Sequence, residues 1–312
     1  MAKRKAYTPR RSTFSIAKAK GPIQDGSTKP PIWDLYRDGL TYSLLSKFFV
    51  CPERFRLSAV EGWGDSGIHA PLEFGNAFHA CLEHAQYHHS KVTQDYQRAR
   101  LSGKSYYGEQ LKDFELLMVM VEAVAVSYQK YWTTDDSAFN WVSREGQFDY
   151  RYQLLADYHI APGHSTLMTQ EIRLRGKIDG VYRDSQTNRL WIFETKTKSD
   201  IDQEGIHRTL RQDLQTMMYA NAVEHQYQES VAGVLYNVIR RPGIRPKKGS
   251  GKSPMPESLQ DFATRCKADV LERPDFYFHR WTVEFEAGDV ATWREKSFDP
   301  LLRQIVRWWD SI

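Results

Sequence analysis

A strand pattern that runs straight into charged residues is the feature that most constrains this chain. Residues 189–198, RLWIFETKTK, place four consecutive apolar side chains directly before Glu194, and Lys196 follows two positions later. An unbroken apolar run of this kind predicts a strand that is buried on both faces. A buried charge without compensation costs several kcal/mol. The sequence therefore predicts that Glu194 and Lys196 meet compensating charges here, namely a metal ion and a phosphate.

The predicted elements around this strand are those of an α/β chain. Ser43 is the predicted N-cap of the first helix, and Pro52 marks a break in it. In chain order the elements are helices over 40–57, 72–89 and 106–132, strands over 146–154, 166–184 and 189–197, a helix over 206–226, a strand over 231–240, a helix over 258–271, a strand over 276–285 and an amphipathic C-terminal helix. The central order of helix, three strands, helix and strand predicts one mixed β-sheet flanked by helices.

A predicted hairpin brings two carboxylates together. The turn cluster DSQTN joins two predicted strands. If the turn is centred between Gln186 and Thr187, Asp179 lies opposite Glu194 on the same face, with the two Cβ atoms roughly 5 Å apart. Two carboxylates at this separation repel each other, and a divalent cation between them removes the repulsion. A hard cation such as Mg²⁺ also binds carbonyl oxygens, so the carbonyl of Thr195 is a further predicted ligand.

Lys196 is predicted to act at the same site, because it shares its face of the strand with Glu194. Its ammonium would hold an attacking water or stabilise negative charge that develops on a phosphate. A metal ion would activate that water and act as a Lewis acid. The spacing alone leaves a second interpretation open, in which these residues form an acid–base cluster at a sheet surface without any ligand.

Charge and cysteine content narrow the class of protein. The first 20 residues carry seven Lys or Arg and no acid, and residues 240–252 form a second basic cluster. Both segments suit a polyanion, although a solubilising tail and loop would have the same composition. The three cysteines are far apart and are predicted to be buried small side chains. No apolar stretch approaches the roughly 18 residues of a membrane span and no signal segment is present, so we expect a cytoplasmic protein without a membrane partner.

Five segments carry the motifs of a known family in the same order. They are LTYSLLSKFFVCPERFRL (40–57), FGNAFHACLE (74–83), GKIDG (176–180), FETKT (193–197) and QTMMY (215–219). Together they resemble the PD-(D/E)XK nuclease superfamily and, within it, the RecB-like exonuclease branch. The resemblance implies one restriction-endonuclease-like domain over 31–312 with an αβββαβ core and helical additions at both ends. The motif-bearing core would span about 40–240, with a basic tail at 1–30 and a C-terminal extension at 241–312.

The resemblance assigns roles to four residues of the predicted site. It implies that His79, Asp179 and Glu194 are metal ligands and that Lys196 is the catalytic lysine. An imidazole beside two carboxylates suits Mn²⁺ as well as Mg²⁺. Glu83 follows His79 by one helical turn, where it would either orient the imidazole or face solvent.

The helix predicted over 206–226 carries further candidates on one polar face. Arg208, Gln212, Gln215 and Tyr219 recur there at offsets of four, three and four, which suits contact with phosphates and the site but is also typical of plain helix surface. The resemblance assigns a catalytic role to Gln215 and Tyr219. A group of histidines near the end of the second helix is interpreted as a solvated helix end; its members are His84, His88 and His89.

The function that the resemblance implies is that of a divalent-metal-dependent DNA nuclease. It would act as an exonuclease on linear duplex or single-stranded ends in recombination, repair or DNA processing, with Mg²⁺ as cofactor and Mn²⁺ accepted. Cys51 matches one position of an iron–sulfur cluster found in some relatives, but only Cys266 lies C-terminal of the core, so no cluster is expected. Without a nucleotide-binding motif, the chain resembles a free-standing nuclease of the kind that a bacteriophage encodes, located in the host cytoplasm.

Partners and alternatives follow from the same resemblance. A recombination protein or a single-strand-binding protein is a predicted partner. Two other functions stay open at this stage. The chain would be either a nuclease-fold scaffold that binds DNA without cutting it, or a metal-dependent hydrolase that acts on RNA or free nucleotides.

Overall fold

A five-stranded mixed sheet forms the centre of the molecule. The computed structural model describes residues 32–64, 69–85, 88–102, 109–133, 138–161, 164–202, 204–205, 210, 212–249 and 255–312. The strands, in chain order and in their order across the sheet, are β1 (Phe139–Ala161), β2 (His164–Asp184), β3 (Leu190–Lys198), β4 (Val231–Arg240) and β5 (Phe278–Glu284). Neighbours are antiparallel except β3 and β4, which are parallel. This arrangement confirms the predicted mixed sheet.

Eleven α-helices are described around the sheet. They are α1 (Leu35–Asp38), α2 (Tyr42–Val50), α3 (Pro52–Phe55), α4 (Ala70–Glu83), α5 (His89–Leu101), α6 (Glu109–Trp132), α7 (Leu214–Tyr227), α8 (Leu259–Glu272), α9 (Pro274–Tyr277), α10 (Asp289–Trp293) and α11 (Asp299–Trp309). Residues 56–60 and 294–298 continue α3 and α10 as π-helical turns. Helix α7 crosses over between the parallel strands β3 and β4, as parallel pairing requires. None of the described helices is long and apolar enough to cross a membrane.

Two hydrophobic cores cover opposite faces of the sheet. Val234, Tyr236 and Val238 of β4 pack with α2, α7 and α11 in the larger core. Ile239 points the other way because strand side chains alternate, and it packs with α4, α6 and α8 in the second core. Buried on both faces, β4 explains the continuous apolar run that predicted it.

The β1–β2 hairpin is much longer than the sequence pattern indicated. The pattern predicted a strand over 146–154, but β1 has 23 residues; the strand predicted over 166–184 agrees with β2 to within two residues. Their register is continuous from Ser143↔Val181 to His159↔Ser165. Along β2, even-numbered residues such as Ile172 and Leu174 are buried, while the odd-numbered residues beside them are partly or fully exposed. The hairpin therefore has one packed face and one outward face.

The first predicted helix is divided, and its cap is one that the pattern did not select. The hydroxyl of Thr41, not that of Ser43, accepts the hydrogen bond from the Leu44 amide and caps α2. Ser43 lies inside the helix, because the chain takes up helical geometry two residues earlier than predicted. Pro52 starts α3 and ends α2 as predicted, and the Sγ of Cys51 caps the new helix. Cys51 is therefore a half-buried cap rather than a buried core residue.

The structure also tests the predictions made for the cysteines, the histidines and several helices and strands. Cys81 and Cys266 are buried in the second core as predicted. The predicted solvated helix end is wrong for His89, which is buried at the start of α5 with its Nε2 3.0 Å from Oε1 of Gln129. Helix α5 itself was not predicted. The strands predicted over 189–197 and 231–240 and the helix predicted over 258–271 agree with β3, β4 and α8 to within one residue.

The C-terminal tryptophans belong to the larger core. Trp308 packs edge-on against Phe48, and Trp309 packs edge-on against Trp33, with ring centroids 5.2 Å apart in each pair. This contact joins α11 to the N-terminal helices. Both rings therefore support the larger core.

Candidate active site

The register of the β2–β3 hairpin is the one that the turn predicted. The strands pair from Arg183↔Leu190 to Gly180↔Phe193, and the same register places Asp179 opposite Glu194. The backbone ladder stops at this point. Instead, the Thr195 amide donates a hydrogen bond of 2.7 Å to Oδ2 of Asp179. The two strands therefore part where the carboxylates lie, and the Asp179 side chain occupies the place of a backbone acceptor.

A third carboxylate lies in the same row. Arg144↔Gly180 and Gly146↔Ile178 pair across β1 and β2, so Glu145 lies opposite Asp179. Residues directly opposite each other on antiparallel strands share a face. Glu145, Asp179 and Glu194 thus stand side by side on three adjacent strands. Glu145 also adopts a left-handed backbone conformation, with φ of 51°, which is uncommon for a non-glycine residue and often marks a functional position.

The sequence analysis did not identify Glu145, although a usable signal was present. The symmetry that related Asp179 to Glu194 about one turn also applies to the β1–β2 hairpin. β1 ends at Ala161 and β2 begins at His164, so the midpoint of the hairpin falls between positions 162 and 163. Counting outward from this midpoint brings Glu145 opposite Gly180, and the one-residue register shift between His159 and Ala161 brings it opposite Asp179 instead. Glu145 was missed because the alternation of side chains predicted a strand only over 146–154, in the middle of β1.

Helix α4 places His79 beside the row of carboxylates. Phe74, Phe78 and Cys81 anchor the helix in the second core. The Nδ1 atom of His79 lies 3.7 Å from Oε1 of Glu145 and 3.5 Å from Oδ1 of Asp179. Burial lowers the pKa of His79, but Asp179 and Glu145 outweigh this effect and raise it to about 9. The imidazole is therefore held in its protonated form beside the carboxylates at neutral pH.

Glu194 is the most deeply buried member of the row, with 1% of its surface exposed. Its Oε1 lies 2.8 Å from Nζ of Lys196, while its Oε2 is buried and has no hydrogen-bond partner among the described residues. Burial raises the pKa of Glu194, and the nearby Asp179 carboxylate raises it further. Burial is also the main cause of the raised pKa of Asp179. Both directions mean that burial disfavours the ionised forms of these two carboxyls in the metal-free protein, so a bound cation would favour their ionisation.

Lys196 is fixed by a chain of hydrogen bonds to α7. Its ammonium donates to Oε1 of Gln215, and the Gln215 amide donates to the Tyr219 hydroxyl at 3.1 Å. Burial lowers the pKa of Lys196, but Glu194 outweighs this effect and keeps the group protonated. Burial raises the pKa of Tyr219, so its hydroxyl is neutral. The structure thus brings together the residues predicted from both the hairpin and the following helix.

Two other predicted contacts turn out differently, and a third is untested. Helix α7 begins at Leu214 with Asp213 as its cap, so Gln212 precedes the helix and does not share its polar face. Arg208 lies outside the described residues. Glu83 forms an ion pair with Lys177 at 3.0 Å, and Lys177 also pairs with Glu145 at 2.8 Å. Glu83 is therefore linked to the row of carboxylates through its ion pair with Lys177.

The donor set fits a divalent cation. Atoms of His79, Glu145 and Asp179 that can bind a metal lie within 4.8 Å of one another. Glu194 lies outside this group of three, although its buried Oε2 has no hydrogen-bond partner among the described residues. The N–H and C=O groups of one strand residue point to the same side, so the carbonyl of Thr195 is directed toward the gap beside Asp179. Carboxylate and carbonyl oxygens with one imidazole suit Mg²⁺ or Mn²⁺.

Comparison with known proteins agrees with this geometry. No curated protein matches the chain significantly. A family model described as the PD-(D/E)XK nuclease superfamily matches residues 39–300, which is most of the 312-residue chain. Membership implies a metal-dependent nuclease, a hydrolase of phosphodiester bonds. The match includes the helix that bears His79, the three strands that carry the carboxylates and the helix that holds Lys196 in place. The chain therefore belongs to the PD-(D/E)XK nuclease superfamily.

Proposed function

We propose that this protein is a Mg²⁺-dependent deoxyribonuclease that degrades DNA from its ends during recombination, repair or processing of DNA. The observation that carries the proposal is the row of Glu145, Asp179 and Glu194 with His79 above it and Lys196 beside it. This arrangement combines oxygen and nitrogen donors for a divalent cation with a protonated lysine on the central strand of the sheet. Mn²⁺ would substitute for Mg²⁺, since the imidazole donor accepts it.

The proposed metal ligands are His79, Asp179, Glu194 and the carbonyl of Thr195, with Glu145 as an additional carboxylate. When bound, a divalent cation supplies Lewis-acid catalysis of phosphodiester hydrolysis. The protein's own contribution is to hold these donors on three adjacent strands, so that they need little rearrangement. The hydrogen bond from the Thr195 amide keeps one oxygen of Asp179 engaged and leaves the other facing His79.

We propose that Lys196 is a catalytic residue that stabilises the negative charge developing on the phosphate. Its ammonium lies between Glu194 and Gln215, which fix its position within hydrogen-bond range. A preorganised, protonated donor in a buried site stabilises developing negative charge more strongly than water does. Gln215 and Tyr219 act through Lys196, so they are positioning residues in this proposal.

The outward face of β2 supports a polyanionic substrate. Arg173, Arg175 and Lys177 occupy alternate positions on this strand and lead to Asp179 on the same face. The Nε atom of Arg175 is buried and has no hydrogen-bond partner among the described residues. Basic groups in such a row attract phosphates without regard to sequence. The basic residues of 240–249 would add to this attraction, and the basic tail lies outside the described residues.

The preference for DNA ends rests on the resemblance of the five motifs to the RecB-like exonuclease branch. The test uses end-labelled linear DNA, closed circular DNA and an RNA strand of the same sequence, each with Mg²⁺, Mn²⁺ or EDTA. We expect cleavage of linear DNA with either metal, none in EDTA, and little cutting of circular DNA. Rapid cutting of the circle would contradict an end-dependent mechanism. Preferred cutting of RNA, or DNA binding without cleavage in any metal, would favour one of the two alternative functions.

Site variants complete this test. Asp179→Ala and Glu194→Ala should each lower the cleavage rate by more than about 100-fold, because each removes a proposed metal ligand. Glu272→Gln is the matched control, since it changes an exposed acid at the end of α8. Undiminished cleavage by either alanine variant would show that the site is elsewhere.

A further inference from the structure

A cavity adjoins the row of carboxylates on the side of β1 and α6. Glu145, Asp179 and Thr195 form its border with the candidate active site. Its remaining walls are mainly aromatic and aliphatic, and the side chains that matter here are Trp141, Phe193, Tyr128 and Ala125. We call this cavity the aromatic cavity. A mostly apolar cavity with a few polar groups is the usual form of a site for a planar organic ligand.

Two polar groups in the wall of the aromatic cavity have no partner within the described part of the chain. His89 has 6% of its surface exposed and uses Nε2 to contact Gln129, while its Nδ1 is buried and unpartnered. The Nε1–H group of Trp141 is also buried without an acceptor. Buried polar groups are nearly always satisfied in native proteins, so two such groups lining one cavity point to a ligand with hydrogen-bonding edges.

A positively charged side chain, that of Arg144, also lies in the wall of the aromatic cavity. The guanidinium of Arg144 lies over the indole of Trp141, with 4.3 Å from Cζ to the ring centroid. Arg144 itself is exposed and lines the aromatic cavity. The outer face of a stacked guanidinium can stack in turn on a nucleobase, and its N–H groups can contact a phosphate. The ligand that matches apolar walls, unpaired hydrogen-bonding groups and a stacked cation is a nucleobase with its phosphate.

We propose that the aromatic cavity receives the base of the nucleotide whose phosphate lies at the row of carboxylates, turned out of the base stack. The proposal rests on the proposed function, in that the substrate is DNA. Because the cavity shares Glu145, Asp179 and Thr195 with the candidate active site, one nucleotide would occupy both at once. A base enters such a cavity only after unstacking, which costs least at a single-stranded end. The substrate class is therefore a single-stranded or frayed DNA end.

The test combines removal of the base with filling of the cavity. Fluorescence anisotropy in EDTA measures binding of single-stranded oligonucleotides that carry either natural or abasic nucleotides at both ends. The protein variant is Ala125→Leu, which adds bulk to a cavity-lining position on α6. For the unmodified protein we expect abasic ends to weaken binding about tenfold, as loss of one stacked base does. For Ala125→Leu we expect natural and abasic strands to bind equally, both about tenfold more weakly than the natural strand binds the unmodified protein.

Controls keep the test decisive. Ala268→Leu makes the same substitution at an exposed position of α8 and should retain the tenfold discrimination. Ala85→Phe fills the cavity from the half-buried end of α4 and replaces Ala125→Leu if that variant is not folded by circular dichroism. Equal binding of both strands by the unmodified protein, or retained discrimination in a folded cavity-filling variant, would overturn the proposal.

Cleavage with Mg²⁺, measured in parallel, separates this proposal from the proposed function. Cleavage without discrimination between natural and abasic ends would refute the aromatic cavity as a base site and leave the nuclease activity standing. Discrimination without cleavage in any metal would support the base site and refute the nuclease activity.

Discussion

Replacement of Glu194 by glutamine should stabilise the metal-free protein and abolish its cleavage activity. The Oε2 atom of Glu194 is buried without a partner among the described residues, and such an atom costs about 1–3 kcal/mol. Glutamine keeps an oxygen that accepts from Lys196 and, being neutral, removes the cost of burying the carboxylate charge. We therefore expect Glu194→Gln to raise the free energy of unfolding by about 2 kcal/mol, or the Tm by about 4 °C for a chain of this size.

The pH dependence of this gain follows from the raised pKa of Glu194. A buried carboxyl with a raised pKa binds its proton more tightly in the folded state than in the unfolded state. Its contribution to stability therefore falls as the pH rises above about 4, the usual carboxyl pKa, and continues to fall until the folded carboxyl is ionised. Glutamine does not titrate. The stabilisation by Glu194→Gln should thus be larger at pH 8 than at pH 5.

The assay is thermal unfolding in EDTA at both pH values, followed by titration with Mg²⁺. Mg²⁺ should raise the Tm of the unmodified protein, since a ligand at 100 times its Kd stabilises by about 2.7 kcal/mol. It should raise the Tm of Glu194→Gln far less. Glu272→Gln should change neither Tm. A lower Tm for Glu194→Gln in EDTA at pH 8 would refute the reasoning, because it would mean that the buried carboxylate is already fully compensated without a metal.

Three further predictions test parts of the fold around the site. Arg100→Ala should lower the free energy of unfolding by about 2–3 kcal/mol, measured by urea denaturation, because it weakens the compensation of Glu73, a carboxylate with 3% exposure. Gly180→Ala should lower it by about 1–3 kcal/mol, since the added Cβ would lie 2.5 Å from the Trp141 ring. Glu257 accepts hydrogen bonds from a guanidinium of α8 and a backbone N–H, which lower its pKa to about 2. The ionised Glu257 carboxylate stabilises the fold to its full extent above pH 4–5, and this stabilisation is lost as the pH falls toward 2. Glu257→Gln should therefore lower the Tm at pH 6 but not at pH 2. An unchanged Tm at pH 6 would contradict this assignment.

The β2–β3 hairpin could be predicted in detail because its register is a local property. A short turn fixes which residues face each other, and the period of two fixes which side chains share a face. Asp179 and Glu194 are only 15 positions apart, so an error in the turn had little room to accumulate. The same reasoning applied to β3 and β4, whose apolar runs end within one residue of their predicted limits.

Helix α5 could not be predicted because its sequence hardly distinguishes it from a loop. The helix His89–Leu101 is polar, and only three of its residues, His89, Val92 and Thr93, are buried. Its stability comes from tertiary contacts instead. Arg100 reaches the buried carboxylate of Glu73 on α4, and His89 contacts Gln129 on α6. Contacts between residues that lie far apart in sequence leave no periodic signal in the helix itself.

Glu145 was less predictable than the β2–β3 hairpin and more predictable than helix α5. Its position shows how two hairpins together form one site. Each hairpin fixes one pair of opposite residues, and Asp179 belongs to both pairs because β2 is the middle strand. A shift of either register by one residue would turn a carboxylate to the other face of the sheet. The short turn at residues 185–189 holds β3 in this register against β2. Glu194 is consequently held in line with Asp179 and Glu145, where a bound cation would compensate the buried carboxyls of Asp179 and Glu194, whose pKa values burial raises.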